Sequence, residues 1–157
     1  MGRRRRRERL SERGAAAIEF ALVSLPLLYL VFGVITYGYM LAFRQSLSQG
    51  AAEGARAAAV APAGFTPAQQ TSAARTAVTN SLSTYGMSCG TSGALTRGGS
   101  SVGTCVVTVA ACTGAATSRC VTVALDYNQD AHPLIPLPGL GLAMPDHLRY
   151  TAVAEVS

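Results

Sequence analysis

The chain has 157 residues, a formal charge of +5, no Lys and no Trp, a length that holds one modest folded domain beside a membrane segment. The charge is local: residues 1–13 carry seven Arg against Glu8 and Glu12, whereas residues 14–157 carry six Arg and six acidic residues and are formally neutral. A neutral body excludes the basic face that nucleic acid requires, so no nucleic-acid partner is expected.

Behind the Arg tail, residues 20–43 form a run of 24 without a charge, FALVSLPLLYLVFGVITYGYMLAF, between Glu19 and Arg44. As a helix this run measures roughly 36 Å, against about 30 Å of bilayer hydrocarbon, so it predicts a single membrane span. A secretory signal peptide has the same order of charge and apolar run, but its hydrophobic region is usually only about 7 to 15 residues. Small residues around Ala57 and Ala61 suit a signal peptidase, yet they lie well beyond the membrane exit. The Arg cluster on one flank and the lone Arg44 on the other predict a cytoplasmic N-terminus and an extracytoplasmic C-terminal region. Pro26 is placed to bend the helix, and Tyr37 and Tyr39 suit an interfacial belt.

Glu19 is the informative residue, because a carboxylate opening a membrane segment is unfavourable unless something offsets it. One reading places it in the first helical turn at headgroup level, where the helix dipole and nearby Arg residues favour an anion. The surrounding string gives another. RGAAAIEFALV, residues 13–23, ends the basic tail at Gly14, follows it with small residues, and opens the apolar run with Glu19 and Phe20. It resembles the processing site of type IV prepilins. That resemblance implies cutting after Gly14 by a membrane-embedded prepilin peptidase on the cytoplasmic side, leaving Ala15 as the first residue and Glu19 as the fifth. The freed amine of a neighbouring subunit then suits the carboxylate, since buried charges persist chiefly when paired.

Two further stretches, RQSLSQGAAEGARAAAV (44–60) and VTVALDY (121–127) leading to LIPLPGLGLAMP (134–145), complete a likeness to the TadE-like family of pilus assembly proteins. The family belongs to tight-adherence secretion systems, and its members are regarded as pseudopilins rather than main filament subunits. The resemblance implies three partners: a prepilin peptidase, other pilins or pseudopilins, and an assembly platform in the cytoplasmic (inner) membrane. Membrane lipid is a fourth. The family pattern often carries Tyr after the glutamate, and here Phe20 keeps an aromatic in that place.

Residues 44–60 continue helically, with Gly50 and Gly54 four apart as a small-residue face for another helix. Pro62 and Gly64 break the chain. Thr66, Pro67 and Gln69 then read as an N-cap, a first-turn proline and a capping box, starting a second helix whose apolar stripe is Ala74, Val78 and Leu82. Gly, Ser and Thr dominate residues 90–103. Period-two patterns in 102–111, 119–127 and 148–156 predict three strands, with Gly114 in a hairpin loop and a proline-rich loop over 128–146. The expected fold is α+β: a long N-terminal transmembrane helix, then a small exported domain with a second helix and a three-stranded antiparallel sheet. The expected divisions are a leader at 1–14, the helix at 15–61 and the exported pilin-like domain at 62–157.

Cys89, Cys105, Cys112 and Cys120 all fall in the exported part, and none has the C-x-x-C spacing of a zinc site. Disulfides suit that compartment better than reduced thiols. Four cysteines allow three pairings; the sequential one closes the hairpin with Cys112–Cys120 and ties the preceding loop to a strand with Cys89–Cys105. His132 and His147 show no ligand pattern, and Asp126, Asp130 and Asp146 lack the close alternation of a calcium loop. No GxSxG, P-loop or HExxH string is present, so no enzyme, metal or cofactor is expected. The function that follows is a minor pilin-like assembly component; the alternative is an uncleaved single-pass membrane protein with an exported binding or adhesin domain.

Overall fold

The computed structural model describes residues 2–62, 64–135 and 145–156, with side chains from residue 15 onward except at 115 and 116. Much of the proline-rich loop, 136–144, lies outside the described residues. Two compact units divide the chain, Met1–Tyr39 and Met40–Ser157. Helix α1, Gly2–Ala59, runs through both, with Pro26 inside it.

In the second unit, residues 40–59 of α1 enter a folded core. Phe43 and Leu47 are fully buried, and Ala51, Ala55 and Ala58 extend the same face. These positions recur at three- and four-residue intervals, the spacing that brings side chains to one side of a helix. Helix α2, Pro67–Leu82, begins as its sequence dictates: the Thr66 hydroxyl accepts from Gln69 N–H at 3.4 Å, and Gln69 Oε1 accepts from Thr66 N–H at 2.8 Å. Ala74, Val78 and Leu82 are fully buried. The helix that the Gly50/Gly54 face receives is α2 itself. A Cβ on Gly54 would stand 2.7 Å from Val78 Cγ2 and 3.2 Å from the Ala74 carbonyl, so only glycine permits this approach.

After a 3₁₀ turn over Ser83–Tyr85, the chain reverses at Gly86 (φ 66) into an antiparallel meander, β1-β2-β3-β4-β5. The strands are β1 Met87–Cys89, β2 Ala94–Arg97, β3 Ser100–Cys112, β4 Ala115–Asn128 and β5 His147–Val156. The three expected strands are present as β3, β4 and β5, but the expected three-stranded sheet is corrected to five among the described residues. The two additions are only three and four residues long and lie against or within the Gly-, Ser- and Thr-rich stretch, too short for an alternating period to stand out. Backbone pairing makes them strands, with Gly93, Gly98 and Gly99 at positive φ in the connecting turns.

One sheet face is apolar. Val102, Cys105 and Val107 on β3, Val121, Val123, Leu125 and Tyr127 on β4, and Leu148 on β5 are buried in one core with α1 and α2. Gly103 allows β3 to approach β4 closely: a Cβ there would overlap the Asp126 carbonyl. Phe43 sits edge-on to Tyr85 and to Tyr127, with ring centroids 4.9 Å apart in each case.

Both disulfides lie in this unit, Cys89–Cys105 and Cys112–Cys120, and no cysteine is free. Cys105 is fully buried and Cys89 nearly so. Loop-entropy estimates put about 3 kcal/mol on the 16-residue link and about 2.5 kcal/mol on the 8-residue link. Replacing both Cys89 and Cys105 by Ala is therefore expected to lower the denaturation midpoint more than replacing Cys112 and Cys120. Equilibrium unfolding of the two variants in urea checks this ordering.

Candidate functional site

The first unit presents a continuous apolar surface. Ile18 is 64% exposed, Phe20 75%, and most of the large apolar residues from Leu22 to Leu41 stand 40% exposed or more. Among the described residues, Ala15–Ala59 contains the one helix long and apolar enough to cross a membrane. Such a face is stable in lipid and unfavourable in water, where it leaves side chains of this size unburied. Polar groups on the helix turn inward to its own backbone: Ser24 donates to Ala21 O at 3.2 Å, and Thr36 to Phe32 O at 2.8 Å.

Gly14 and Ala15 both lie within α1, so the peptide joining them is part of a helix. Glu19 follows Ala15 by one helical turn, which places them on the same side. Glu19 is exposed and makes no ion pair among the described residues. Phe20 is the neighbouring large apolar residue. Gly14, Ala15, Glu19 and Phe20 are thus gathered in under two turns at the start of the apolar face.

The second unit holds a polar cluster that no sequence motif announced. Asp126 on β4 receives Arg149 Nε at 2.8 Å and lies 2.7 Å from His147 Nδ1, both on β5. Burial pushes the Asp126 carboxyl up, but hydrogen bonds and charge from His147 and Arg149 outweigh this and hold it below the ordinary carboxylate value. Only the strand register makes the cluster, since Asp126 stands opposite Arg149 and diagonally from His147, which is two residues along β5. The one signal in the sequence was the alternation that turns residues 147 and 149 to the same face of a strand.

His132 and His147 line one shallow depression of about 340 Å³ with Ser101, Gly103, Asp126 and Asn128. Ser101 donates its hydroxyl to Gly103 O at 3.4 Å, and no hydroxyl bonds to His147 among the described residues. The arrangement therefore lacks a nucleophile held by its base. Nor do three metal-ligating side chains converge anywhere among the described residues.

The Asp126 cluster carries a pH expectation. A carboxyl whose folded value is lowered adds stability above its unfolded value, and that contribution disappears as pH falls through the folded one. The domain should lose stability on acidification below about pH 4. Asp126→Asn should make that loss shallower, while lowering neutral-pH stability by under about 1 kcal/mol because the partners are exposed. Thermal melts of both proteins between pH 7 and pH 2.5 check the difference.

Neither a curated relative nor a solved structure matches the chain. A family model does, over residues 14–56. The matched stretch begins at Gly14, takes in Glu19, Phe20 and the exposed apolar face, and ends on α1 short of α2 and the sheet. Over this helix the chain is similar to the TadE-like proteins, a family associated with Tad pili.

Proposed function

We propose that this chain is a minor pilin-like component, a pseudopilin, of a tight-adherence type IV pilus assembly and secretion system. The observation that carries the reading is the junction at Gly14, where a leader of seven Arg meets the exposed apolar helix and where the family match begins. The Arg residues keep the leader in the cytoplasm while the helix crosses the inner membrane and the second unit is exported. Prepilin peptidase then cuts between Gly14 and Ala15. That peptide is helical, and hydrolysis requires it to open locally. Glycine lowers helix stability by about 1 kcal/mol relative to Ala, so Gly14 is where opening is easiest.

The cut exposes the Ala15 amine one turn from Glu19. In lipid a carboxylate seeks a cation, and the amine of an adjacent pilin or pseudopilin supplies one, fixing the axial register between helices. The exposed apolar face from Phe20 onward provides the lateral packing surface. Removing the leader also removes the whole net charge, so neutral helices pack without mutual repulsion.

N-terminal mass spectrometry of the protein, made in cells with and without a prepilin peptidase, tests the reading. The expected N-terminus is Ala15 with the enzyme and Met1 or Gly2 without it. A chain that starts at Met1 or Gly2 in both samples identifies an uncleaved membrane protein and ends the proposal.

A further inference from the structure

Strand β5 is an edge of the sheet, and among the described residues nothing pairs with its free side. Sheet edges usually carry a proline, a bulge, charged side chains or a short strand that hinders pairing with another chain. The far edge is short, as β1 has three residues. Strand β5 has charges of both signs, Arg149 and Glu155, but it is ten residues long, contains neither Pro nor Gly, and keeps an unbroken register with β4 from Asn128↔His147 to Arg119↔Val156.

The phase of the ladder shows which backbone groups are free. Gln129 N–H donates to Asp146 O at 2.8 Å, and in an antiparallel ladder bonded pairs alternate with unbonded ones. The even-numbered residues of β5 therefore exchange hydrogen bonds with β4. The backbone groups of 147, 149, 151, 153 and 155 face outward. Their side chains share the exposed sheet face, away from the core.

We propose that β5 docks a second copy of this chain, the two β5 strands pairing antiparallel about Ala152 so that Arg149 of each stands opposite Glu155 of the other. Hydrogen bonding requires odd residues to meet odd residues, which leaves few central registers. Centring on 151 puts Arg149 against Val153, and centring on 153 puts Thr151 against Glu155. Only centring on 152 joins the fixed cation to the carboxylate, twice over, with Thr151 against Val153 between them. Both charges are available for this. Arg149 gives Nε to Asp126 but its side chain is 72% exposed, and Glu155 makes no ion pair among the described residues. On the core side the same register sets Leu148 against Val156 and Tyr150 against Ala154, continuing the apolar layer across the dyad.

A cysteine at the dyad tests this in the full chain in detergent micelles. At an unbonded pair facing itself, the two 152 positions lie about 4.5 Å apart between Cα atoms, within disulfide range. All four native cysteines are already paired, so Ala152→Cys adds the one free thiol. On mild oxidation most of the protein is expected to run at twice its mass on a non-reducing gel. Ala154→Cys, whose copies stand about 14 Å apart in this register, should cross-link at least about 10-fold less. Adding Glu155→Arg to Ala152→Cys should cut the yield several-fold, and adding Glu155→Gln should cut it less. A monomeric Ala152→Cys protein with both native disulfides intact overturns the proposal, including where another protein's strand takes the edge. Equal yields from Ala152→Cys and Ala154→Cys also overturn it, because they report association through the membrane helices. The outcome is independent of leader removal.

Discussion

Replacing Gly14 by valine should leave the chain at precursor length, with its leader attached and its net charge still +5. A side chain there does two things. It fills space beside the peptide to be cut, and it removes the weak point at which the helix opens, since a β-branched residue holds helical dihedrals better than glycine does. The readout is all or none. Intact mass resolves the leader, and isoelectric focusing resolves a formally neutral mature chain from a strongly basic precursor. Mature-length protein accumulating from Gly14→Val would move the cut elsewhere. Glu19→Ala should behave in the opposite way, because the carboxylate is assigned to the step after cleavage. Its N-terminus should be Ala15 as before, while incorporation into the pilus apparatus falls sharply. Normal piliation by that variant would remove the proposed pairing between Glu19 and a neighbouring amine without touching the cleavage assignment.

The second large effect is expected at Phe43. It closes the uncharged run of residues 20–43, and composition alone groups it with the membrane residues before it. Its burial is complete, however, and its neighbours are Tyr85 and Tyr127 of the folded unit. Truncating a buried phenylalanine costs about 3 to 5 kcal/mol, and edge-to-face pairs add about 0.5 to 1.5 kcal/mol each. Against a usual domain stability of about 5 to 15 kcal/mol, Phe43→Ala should leave the exported unit barely folded. Denaturant unfolding of the full chain in detergent, followed by tyrosine absorbance, gives the value. Phe32→Ala supplies the contrast on the same helix. Phe32 is 52% exposed, so its loss should hardly move the same transition. Equal destabilisation by the two substitutions would mean that the core does not depend on Phe43.

These expectations divide according to what can be read along the chain. Elements built from near neighbours were legible. The span follows from the length of one uncharged run, and the start of α2 follows from Thr66, Pro67 and Gln69 acting on backbone groups within a turn. Strands β3, β4 and β5 followed from alternation sustained over nine or more residues. Strands β1 and β2 were not legible, because three or four residues are too few to display a period and become strands only when a longer neighbour supplies the hydrogen bonds. The same holds for Asp126, His147 and Arg149. Asp126 stands 21 and 23 residues before the other two and meets them only through the register of β4 with β5.

The sequence by itself determined a helix long and apolar enough to cross a membrane and the resemblance of residues 14–56 to TadE-like proteins, because each rests on charge, length and residue type within a contiguous stretch. Tertiary structure alone decided that Phe43 leaves the apolar run to join Leu47 in the core, that Gly50 and Gly54 are closed over by α2, and that β5 is an edge among the described residues. Those outcomes depend on which distant segment covers a residue. Apolar side chains gain by leaving water whether lipid or protein receives them, so hydropathy cannot distinguish the two, and only the packed partner does.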